Sequence, residues 1–544
     1  MNGSNTTPDL LQGFTPYPKD QAEKYQKAGF WEHIPLWTIL TQGVDLHADR
    51  IAVMDDERQL TYQQLLEAAD GMAQRLVQDG LQTGERVVIQ LSNSCRFPIA
   101  LFATLRAGLV PVLALPAHGF AEIDHFIQTA DAKSYIGENQ QGIELAKSLT
   151  AKHVTLRSTY LLGDNSGSHS LEYCLPHPFT PPHIEPENPA LFLVSGGTTG
   201  LPKLIPRTHN DYLFNIRCCC KASEIHKNDV YLAVLPAAHN FTLGCPGFLG
   251  VLASGGQVVF SNQAEADHCF TLIEQHRVTA TALVPSLAQL WTEATQWEEN
   301  DLSSLRLLQI GGSKLAYSDA LEVQQAFPNA LQQVFGMAEG LICCTRLGDD
   351  AEVIASRQGR PVCELDEIRV VDNNGNFVTD GEEGELLTRG PYTLRGYYRA
   401  AEHNQRSFTP DGFYCSGDKV RIDSNQYLTV TGRIKDVVNR AGECIATDEI
   451  EEHLLAHPDV AQVAVLPVPD TYLGERIGVA LISKGAALTL QELRQFLKNR
   501  KLASFKLPDE LQLVNTLPKT AVGKVDKKAI LGPNGQPWML KKLP

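Results

Sequence analysis

Residues 195–203 read Ser-Gly-Gly-Thr-Thr-Gly-Leu-Pro-Lys, and they follow an apolar run, Ala190 to Val194, that predicts a buried strand. The glycines allow backbone N–H groups to approach an anion closely, because no Cβ atom intervenes. Hydroxyl donors and one lysine complete the candidate phosphate-binding set, which comprises Ser195, Gly196, Gly197, Thr198, Thr199 and Lys203. The loop therefore predicts a polyphosphate site, and the alternative interpretation is a glycine-rich hairpin tip.

This loop differs from the phosphate loop of P-loop kinases and ATPases. Pro202 stands where that motif places its second glycine, and Leu204 stands where it requires serine or threonine. The residues around Lys203 therefore favour another class of nucleotide-using protein.

Length and composition indicate a globular protein with more than one domain. A chain of 544 residues is too long to fold around one hydrophobic core of ordinary size. Its content of 43% hydrophobic and 20% charged residues is typical of a soluble protein. The formal net charge of −16 argues against binding of nucleic acid through the overall electrostatic field of the protein. The N-terminus lacks the pattern of a secretory signal, and the most apolar window, residues 97–117, contains Arg106, Gly108, Pro111 and Pro116. We therefore expect no membrane insertion, and we expect this window to form a core segment.

The cysteine pattern indicates reduced thiols. None of the 12 cysteines has C-x-x-C spacing, and the adjacent ones at positions 218–220 and 343–344 suit neither a disulfide framework nor a zinc site. A cytoplasmic location is therefore expected.

Helical and strand patterns alternate through the first two-thirds of the chain, which favours an α/β fold. Leu60 to Gln78 has helical spacing with Thr61 as N-cap, and Arg86 to Gln90 is typical of a short buried strand. From about Glu367 short strands and turns predict a small β-rich subdomain. After Gly432 the pattern predicts a small α/β domain, with the boundary within residues 433–436.

The loop and the five residues Ile205-Pro206-Arg207-Thr208-His209 together resemble the phosphate loop of the acyl- and aryl-CoA ligase, adenylation-domain and luciferase superfamily. The resemblance continues over nearly all of the chain in the family's order, and it implies ATP and Mg²⁺ as cofactors. It implies a large N-terminal domain, residues 1–433, with two helix-covered sheets and the small β-rich subdomain. A small mobile α/β domain, residues 434–544, is implied to carry the catalytic lysine.

Residues 333–340, Gln-Val-Phe-Gly-Met-Ala-Glu-Gly, resemble the superfamily's adenine and metal motif. The resemblance implies that Glu339 helps to hold Mg²⁺, which prefers hard oxygen ligands. The alternative is a glutamate at the start of a buried helix. Ala338 replaces the threonine that is common there, so one hydroxyl contact to phosphate is lost. The other implied nucleotide-binding residues here are Gly312, Val334, Phe335, Gly336, Met337 and Ala338.

Two further motifs resemble the ribose site and the hinge of this superfamily. The first is Tyr-Cys-Ser-Gly-Asp at 414–418, where Asp418 is implied to accept hydrogen bonds from both ribose hydroxyls. The second is Gly-Arg-Ile-Lys-Asp at 432–436, where Arg433 is implied to reach the ribose and Lys435 to serve as the hinge.

Residues 518–526, Pro-Lys-Thr-Ala-Val-Gly-Lys-Val-Asp, resemble the segment that bears the family's mobile catalytic lysine, which is Lys524 here. Its ammonium is implied to bind the carboxylate and the α-phosphate oxygen, which offsets charge as the two anions meet. The alternative is a solvated basic patch formed with Lys519, Lys527 and Lys528.

Residues 235–241 and 245–247 correspond to the family's acid-binding stretch. The pair His239-Asn240 resembles the stand-alone aryl acid ligases of siderophore synthesis, in which the asparagine bonds the hydroxyl ortho to the carboxylate. This implies a catalytic role for His239. The implied acid-binding residues are Asn240, Phe241, Cys245, Gly311, Ser313 and Ile342.

The resemblance implies activation of an aryl acid to aryl-AMP and transfer to a phosphopantetheine thiol. It favours 2,3-dihydroxybenzoate as the acid. Salicylate is the alternative, because the positions of Cys245 and Ile342 differ between dihydroxybenzoate ligases and salicylate ligases. A catabolic aryl-CoA ligase shares every nucleotide motif and stays open. Because about 20 residues follow Lys524, we expect the thiol acceptor to be an aryl carrier protein on a separate chain.

Overall fold

The computed structural model describes residues 11–162, 178–195, 202–372, 374–434, 436–440, 443–470, 473–485, 487–500, 502, 506–520 and 523–531. The strands, in chain order, are β1 (Ile51–Met54), β2 (Gln59–Thr61), β3 (Arg86–Gln90), β4 (Val110–Ala114), β5 (Ser134–Glu138), β6 (Ser158–Leu162), β7 (Pro189–Val194), β8 (Leu204–Thr208), β9 (Val230–Ala233), β10 (Gln257–Phe260), β11 (Ala280–Leu283), β12 (Leu307–Gly311), β13 (Leu331–Gly336), β14 (Ile342–Cys344), β15 (Arg360–Pro361), β16 (Glu367–Val371), β17 (Gly384–Arg389), β18 (Tyr414–Ile422), β19 (Leu428–Arg433), β20 (Val437–Arg440), β21 (Glu443–Ala446), β22 (Val460–Asp470), β23 (Gly474–Ser483) and β24 (Glu510–Leu513).

Helices alternate with most of these strands. They are, in chain order, α1 (Lys19–Lys27), α2 (Thr38–His47), α3 (Tyr62–Gln78), α4 (Arg96–Arg106), α5 (Phe120–Ala130), α6 (Asn139–Lys152), α7 (His209–Ala222), α8 (Asn240–Gly244), α9 (Gly247–Ala253), α10 (Ala266–His276), α11 (Pro285–Ala294), α12 (Tyr317–Ala326), α13 (Ala351–Ser356), α14 (Ala401–Ser407), α15 (Thr447–Leu455), α16 (Leu490–Asn499) and α17 (Lys527–Ile530). Within the described ranges, no helix combines the length and the apolarity that crossing a bilayer requires.

Two sheets of mainly parallel strands form the larger part of the molecule. One has the order β6-β5-β3-β4-β7-β8, and the other has the order β15-β14-β13-β12-β11-β9-β10-β1-β2. A continuous apolar core includes buried residues of both sheets and of the helices packed on them. This arrangement confirms the expected α/β class and the two helix-covered sheets.

Several helices and strands lie where local sequence patterns predict them. Helix α3 begins after Thr61, whose hydroxyl accepts from the Gln64 backbone N–H while the Gln64 side chain accepts from the Thr61 N–H. This capping box satisfies two backbone donors that a helix start otherwise leaves unpaired. The apolar window 97–117 forms α4 and the buried strand β4, and Arg106 pairs with Asp70 inside the protein. The window is therefore a core segment, as predicted.

Two smaller sheets follow along the chain. Strands β16-β17-β18-β19 form an antiparallel sheet, which is the predicted β-rich subdomain. Strands β21-β20-β23-β22, with β24 parallel to β23, form a second sheet that has its own apolar core. Strand β19 ends at Arg433 and β20 begins at Val437, so the change of sheet falls in the predicted boundary. The predicted hinge residue, Lys435, lies outside the described residues.

A buried ion pair joins strand β8 to helix α7. The Arg207 Nε donates to Asp211 Oδ1 at 2.8 Å, and the side chains are 0% and 2% exposed. The second carboxylate oxygen of Asp211 accepts from the backbone N–H and the hydroxyl of Thr208, the N-cap residue of α7. Arg207 Nη1 donates to the Ala338 carbonyl at 3.0 Å. The pair thereby connects the start of α7 to the turn that contains Ala338, within the predicted adenine and metal motif.

Candidate active site

The predicted phosphate loop connects β7 and β8, which are antiparallel neighbours. At its base the Ser195 N–H donates to the Lys203 carbonyl, and the Lys203 N–H donates to the Ser195 hydroxyl, both at 2.9 Å. The Lys203 ammonium lies 5.8 Å from the centroid of the Tyr397 ring. Residues 196–201, which include Gly196, Gly197, Thr198 and Thr199, lie outside the described part of the chain.

The predicted adenine and metal motif spans the end of β13 and the turn that follows it. Val334 is buried, Phe335 packs against an apolar cluster of the β-rich subdomain, and Gly336 pairs with Ile342 of β14. The turn is closed by hydrogen bonds between Met337, Gly340 and Leu341. Glu339 therefore lies in a turn, and the alternative placement at a helix start is wrong.

Glu339 accepts a hydrogen bond from Tyr397, whose hydroxyl in turn contacts that of Tyr414. The Tyr397 hydroxyl donates to Glu339 Oε1 at 2.7 Å, and it lies 2.9 Å from the Tyr414 hydroxyl. Burial raises the pKa of Glu339, and the hydrogen bond from Tyr397 opposes that change. A partly buried carboxylate is stabilised by nearby positive charge, so the site fits a hard cation such as Mg²⁺. Sequence reasoning did not single out Tyr397, which lies 58 positions from Glu339.

The predicted ribose residues form a pair across two strands. Asp418 on β18 is directly opposite Arg433 on β19, and Arg433 Nε donates to Asp418 Oδ1 at 2.8 Å. Asp418 is buried, which raises its pKa, whereas the charges of Arg433 and Lys524 lower it. The pair offers acceptor oxygens and guanidinium donors at one edge of the sheet, which suits a diol.

A small cavity brings together residues from distant parts of the sequence. It is lined by Leu235, Pro236, His239, Phe241, Val284, Gly312 and Lys524. Gly312 has φ +86°, and a Cβ atom there would lie 3.4 Å from Lys524 Cε. The positive φ favours glycine at this position, and the Lys524 side chain packs next to it in the cavity.

Lys524 reaches this cavity from a tight loop of the C-terminal segment. The Thr520 N–H donates to the Lys524 carbonyl at 2.7 Å, and the Lys524 N–H donates to the Thr520 hydroxyl at 3.2 Å. Burial and the nearby Arg433 charge lower the pKa of Lys524 to about 8, although Asp418 and Glu339 act in the opposite direction. The ammonium therefore stays charged at neutral pH in a site where charge is costly.

His239 contributes a neutral imidazole to the same cavity. The Phe241 N–H donates to His239 Nδ1 at 3.3 Å, so the ring proton of the neutral form is on Nε2. Burial, together with the charge of Lys524, lowers the pKa of His239 to about 4. The ring is therefore a neutral hydrogen-bond donor at pH 7.

The predicted acid-binding residues differ in how directly they contact this cavity. Asn240, Phe241, Cys245 and Ile342 are buried, and a Cβ atom on Gly311 would come within 3.1 Å of the Phe241 ring. Ser313 is exposed, and no contact among the described residues places it in the cavity. Phe241 lines the cavity with Lys524, and Gly311 lies against the Phe241 ring. Asn240 is next to Phe241 in the chain and donates to the Cys245 sulfur.

Two contacts outside the cavity hold the C-terminal segment against the larger part of the molecule. The Lys314 ammonium lies 2.7 Å from Glu452 Oε2 on helix α15. The Lys519 ammonium lies 3.4 Å from the Ser286 hydroxyl on helix α11. Both contacts form in the orientation in which Lys524 occupies the cavity, so they favour that orientation.

The sequence matches two family models in the order that this architecture requires. Residues 40–398 match the AMP-binding enzyme family, and residues 449–524 match the AMP-binding enzyme C-terminal domain. The chain belongs to the AMP-binding enzyme family and is an adenylate-forming ligase.

Its relatives include enzymes with narrower names. The chain is 46% identical to the salicyl-AMP ligase / salicyl-S-ArCP synthetase of Mycobacterium tuberculosis, over 97% of this chain and 96% of that protein. It is 44% identical to the vibriobactin-specific 2,3-dihydroxybenzoate-AMP ligase of Vibrio cholerae, over 96% and 98% of the two chains. The apo structure of Mycobacterium smegmatis MbtA superposes with a TM-score of 0.76 at 46% identity, covering 96% and 99%.

Proposed function

We propose that this enzyme activates 2,3-dihydroxybenzoate with ATP, releasing pyrophosphate, and then transfers the aryl group to the phosphopantetheine thiol of an aryl carrier protein in siderophore biosynthesis. The observation that carries the proposal is the cavity in which Lys524, His239 and Phe241 meet. Its lining residues His239 and Phe241 flank Asn240 in the chain, and Gly312 belongs to the predicted nucleotide-binding set. Relatives named for 2,3-dihydroxybenzoate and for salicylate support this class of acid.

Salicylate is the second candidate acid. The relative named for salicylate is 46% identical, and Cys245 occupies the position that resembles salicylate ligases. Both acids carry a hydroxyl ortho to the carboxylate, and Asn240 is the proposed partner of that hydroxyl. They differ by one further hydroxyl, so the residues around Cys245 and Ile342 set the preference between them.

In the proposed first step the aryl carboxylate attacks the α-phosphorus of ATP in line with the leaving pyrophosphate. Lys524 binds the carboxylate and an α-phosphate oxygen, which reduces the repulsion between the two anions. His239 donates from Nε2 within the same cavity and helps to orient the acid. Asp418 and Arg433 hold the ribose, and the loop between Ser195 and Lys203 holds the phosphates. Positioning and charge neutralisation supply the rate, because no protein nucleophile is needed.

Glu339 is the proposed ligand of Mg²⁺. The bound ion supplies positive charge that neutralises the phosphate oxygens. The chain's own contribution is to keep the Glu339 carboxylate in place, which the Tyr397 hydroxyl does through its 2.7 Å hydrogen bond.

The proposed second step needs a different orientation of residues 434–544. In this proposal they form a domain that rotates about Lys435 and withdraws Lys524, so that a thiol can reach the aryl-AMP. The acceptor is a carrier protein on a separate chain, and the name of the Mycobacterium tuberculosis relative supports a carrier as acceptor. The ten cysteines whose side chains are described are free, which supports the cytoplasmic location.

Acid-dependent ATP–pyrophosphate exchange tests the proposed activity. With 2,3-dihydroxybenzoate, salicylate and benzoate side by side, we expect the two ortho-hydroxy acids to exceed benzoate by about 10–100-fold in kcat/KM, since benzoate leaves a buried amide donor unpaired. A wild-type enzyme that exchanges equally well with benzoate would contradict the proposal. Comparison of CoA with an aryl carrier protein as thiol acceptor separates it from a catabolic aryl-CoA ligase.

The pKa of Lys524 predicts an alkaline limit to the first step. Its ammonium is charged below a pKa of about 8 and neutral above it, so charge neutralisation is lost as the pH rises. We expect kcat/KM for ATP in the exchange reaction to fall above about pH 8, because this parameter reports the free enzyme. The control is Lys524→Arg, whose guanidinium keeps its charge over this range. An unchanged alkaline limb in that variant would assign the limb to another group.

A further inference from the structure

The hydroxyl of Tyr212 is fixed from several sides next to the acid-binding residues. Tyr212 lies on α7 and is fully buried, and its hydroxyl donates to Asn240 Oδ1 at 2.9 Å. The Arg207 guanidinium lies 4.7 Å from the centroid of the Tyr212 ring. Gly244 leaves room for the hydroxyl, because a Cβ atom there would lie 2.7 Å from it. Tyr212 thus presents its hydroxyl to the Asn240 amide and has little freedom to turn away.

This contact determines which end of the Asn240 amide is left for other partners. The carbonyl end accepts from Tyr212, and the amide nitrogen donates to the Cys245 sulfur at 3.3 Å. If the Asn240 amide were turned by half a rotation, the hydroxyl proton of Tyr212 would face an N–H group. Among the described residues, that proton has no other hydrogen-bond acceptor. A buried donor without a partner is costly, so the observed orientation is favoured. An amide nitrogen has two N–H groups, and the second is left for a ligand.

We propose that Tyr212 is a positioning residue that sets the acid selectivity, because it locks Asn240 as a hydrogen-bond donor toward the ortho position of the acid. The pocket then takes benzoic acids whose ortho group accepts a hydrogen bond and rejects those whose ortho group only donates. This inference rests on the proposed aryl acid activation and adds the origin of its selectivity.

Salicylate and anthranilate represent an ortho group that accepts a hydrogen bond and one that only donates. They differ only at this position, where salicylate has a hydroxyl and anthranilate has an amino group. The phenolic oxygen of salicylate keeps a lone pair that can accept from Asn240 while its proton is shared with the carboxylate. The anthranilate nitrogen delocalises its lone pair into the ring, and its second N–H would face the N–H of Asn240. The two acids are almost equal in size, so packing against Phe241 hardly discriminates between them.

The test is ATP–pyrophosphate exchange with both acids in the wild type and in Tyr212→Phe. We expect the wild type to favour salicylate by about 10–100-fold in kcat/KM. Tyr212→Phe removes the hydroxyl but keeps the ring over Arg207, so the amide can turn and offer its carbonyl to anthranilate. We expect the preference to fall to within about threefold of unity, with the KM values of the two acids moving in opposite directions.

The matched control is Tyr62→Phe. Tyr62 is also fully buried, and its hydroxyl donates to the carbonyls of Gly256 at 2.7 Å and Leu252 at 3.2 Å, away from the cavity. This variant loses a comparable buried hydrogen bond, and we expect it to keep the wild-type preference. A merely structural role for the Tyr212 hydroxyl would lower activity with both acids in proportion, as in the control.

Three outcomes overturn the inference in distinguishable ways. A wild type that activates neither salicylate nor 2,3-dihydroxybenzoate removes the proposed function and the inference with it. A wild type that activates salicylate and anthranilate equally well keeps the function and removes the donor role of Asn240, even if Tyr212→Phe fails to fold. A folded Tyr212→Phe variant that retains the wild-type preference removes the role of Tyr212 alone.

Discussion

Replacement of Lys524 by alanine is expected to lower acid-dependent ATP–pyrophosphate exchange by about 10²–10³-fold, the usual effect of removing one group that stabilises charge in a transition state. The side chain enters the cavity beside Gly312 and His239, and its ammonium is the proposed partner of both reacting anions. The loss should appear mainly in kcat, because the charge is most important when the two anions meet.

Lys528→Ala is the matched control for that experiment. Lys528 lies four positions further along the chain, is exposed, and takes part in the basic patch that is the alternative interpretation of this segment. We expect Lys528→Ala to keep exchange within about twofold of the wild type, as is usual for exposed positions. Equal losses in the two variants would favour the solvated basic patch, and near wild-type exchange in Lys524→Ala would show that the assigned role is wrong.

Asp211→Ala is expected to destabilise the protein by about 3–5 kcal/mol, because it leaves the Arg207 guanidinium buried without its counter-ion. Arg207 is 0% exposed and its Nη2 has no hydrogen-bond partner among the described residues, so little is available to replace the carboxylate. Loss of the N-cap contacts to Thr208 adds to the effect. The free energy of unfolding in urea measures it.

An exposed pair of the same spacing provides the comparison. Lys27 and Glu23 lie four positions apart on α1 at 3.4 Å, with side chains 79% and 48% exposed. Glu23→Ala should change the unfolding free energy by less than about 1 kcal/mol. A double variant with methionine at both Arg207 and Asp211 should recover much of the loss, since no uncompensated charge remains. If Asp211→Ala costs no more than Glu23→Ala, the buried pair contributes no more to the stability of the fold than an exposed pair does.

Much of the fold could be predicted because its signals are local. Helix α3 follows from apolar spacing and the Thr61 cap, and strand β3 has the bounds that the run Arg86 to Gln90 predicts. The window 97–117 could be predicted as a core segment because Arg106, Pro111 and Pro116 interrupt its apolar run. Strand order was not predictable in this way, since β1 joins β10 from about 200 positions away.

The candidate site was likewise predictable only where its residues belong to local sequence motifs. Residues that stand in contiguous motifs, such as Asn240, Glu339 and Lys524, were found from the sequence. Their supporting partners were not, because Tyr397 and Tyr212 meet them only through folding. Ser313 was predicted to bind the acid, but its side chain is exposed. Its neighbour Gly312, predicted to bind the nucleotide, lines the cavity instead. A motif gives the position of a residue along the chain, whereas the backbone decides which way it faces.

The ion pair between Lys314 and Glu452 has a consequence for the balance between the two proposed steps. Its side chains are 23% and 43% exposed, so the contact is worth no more than about 1 kcal/mol. Such a contact shifts a two-state population by about fivefold at most, and dissolved salt weakens it further. In the proposed mechanism, this contact by itself weights the resting enzyme only slightly toward the orientation that forms the adenylate. Consumption of the acid and ATP, rather than rupture of a strong contact, can therefore set when the second orientation becomes populated.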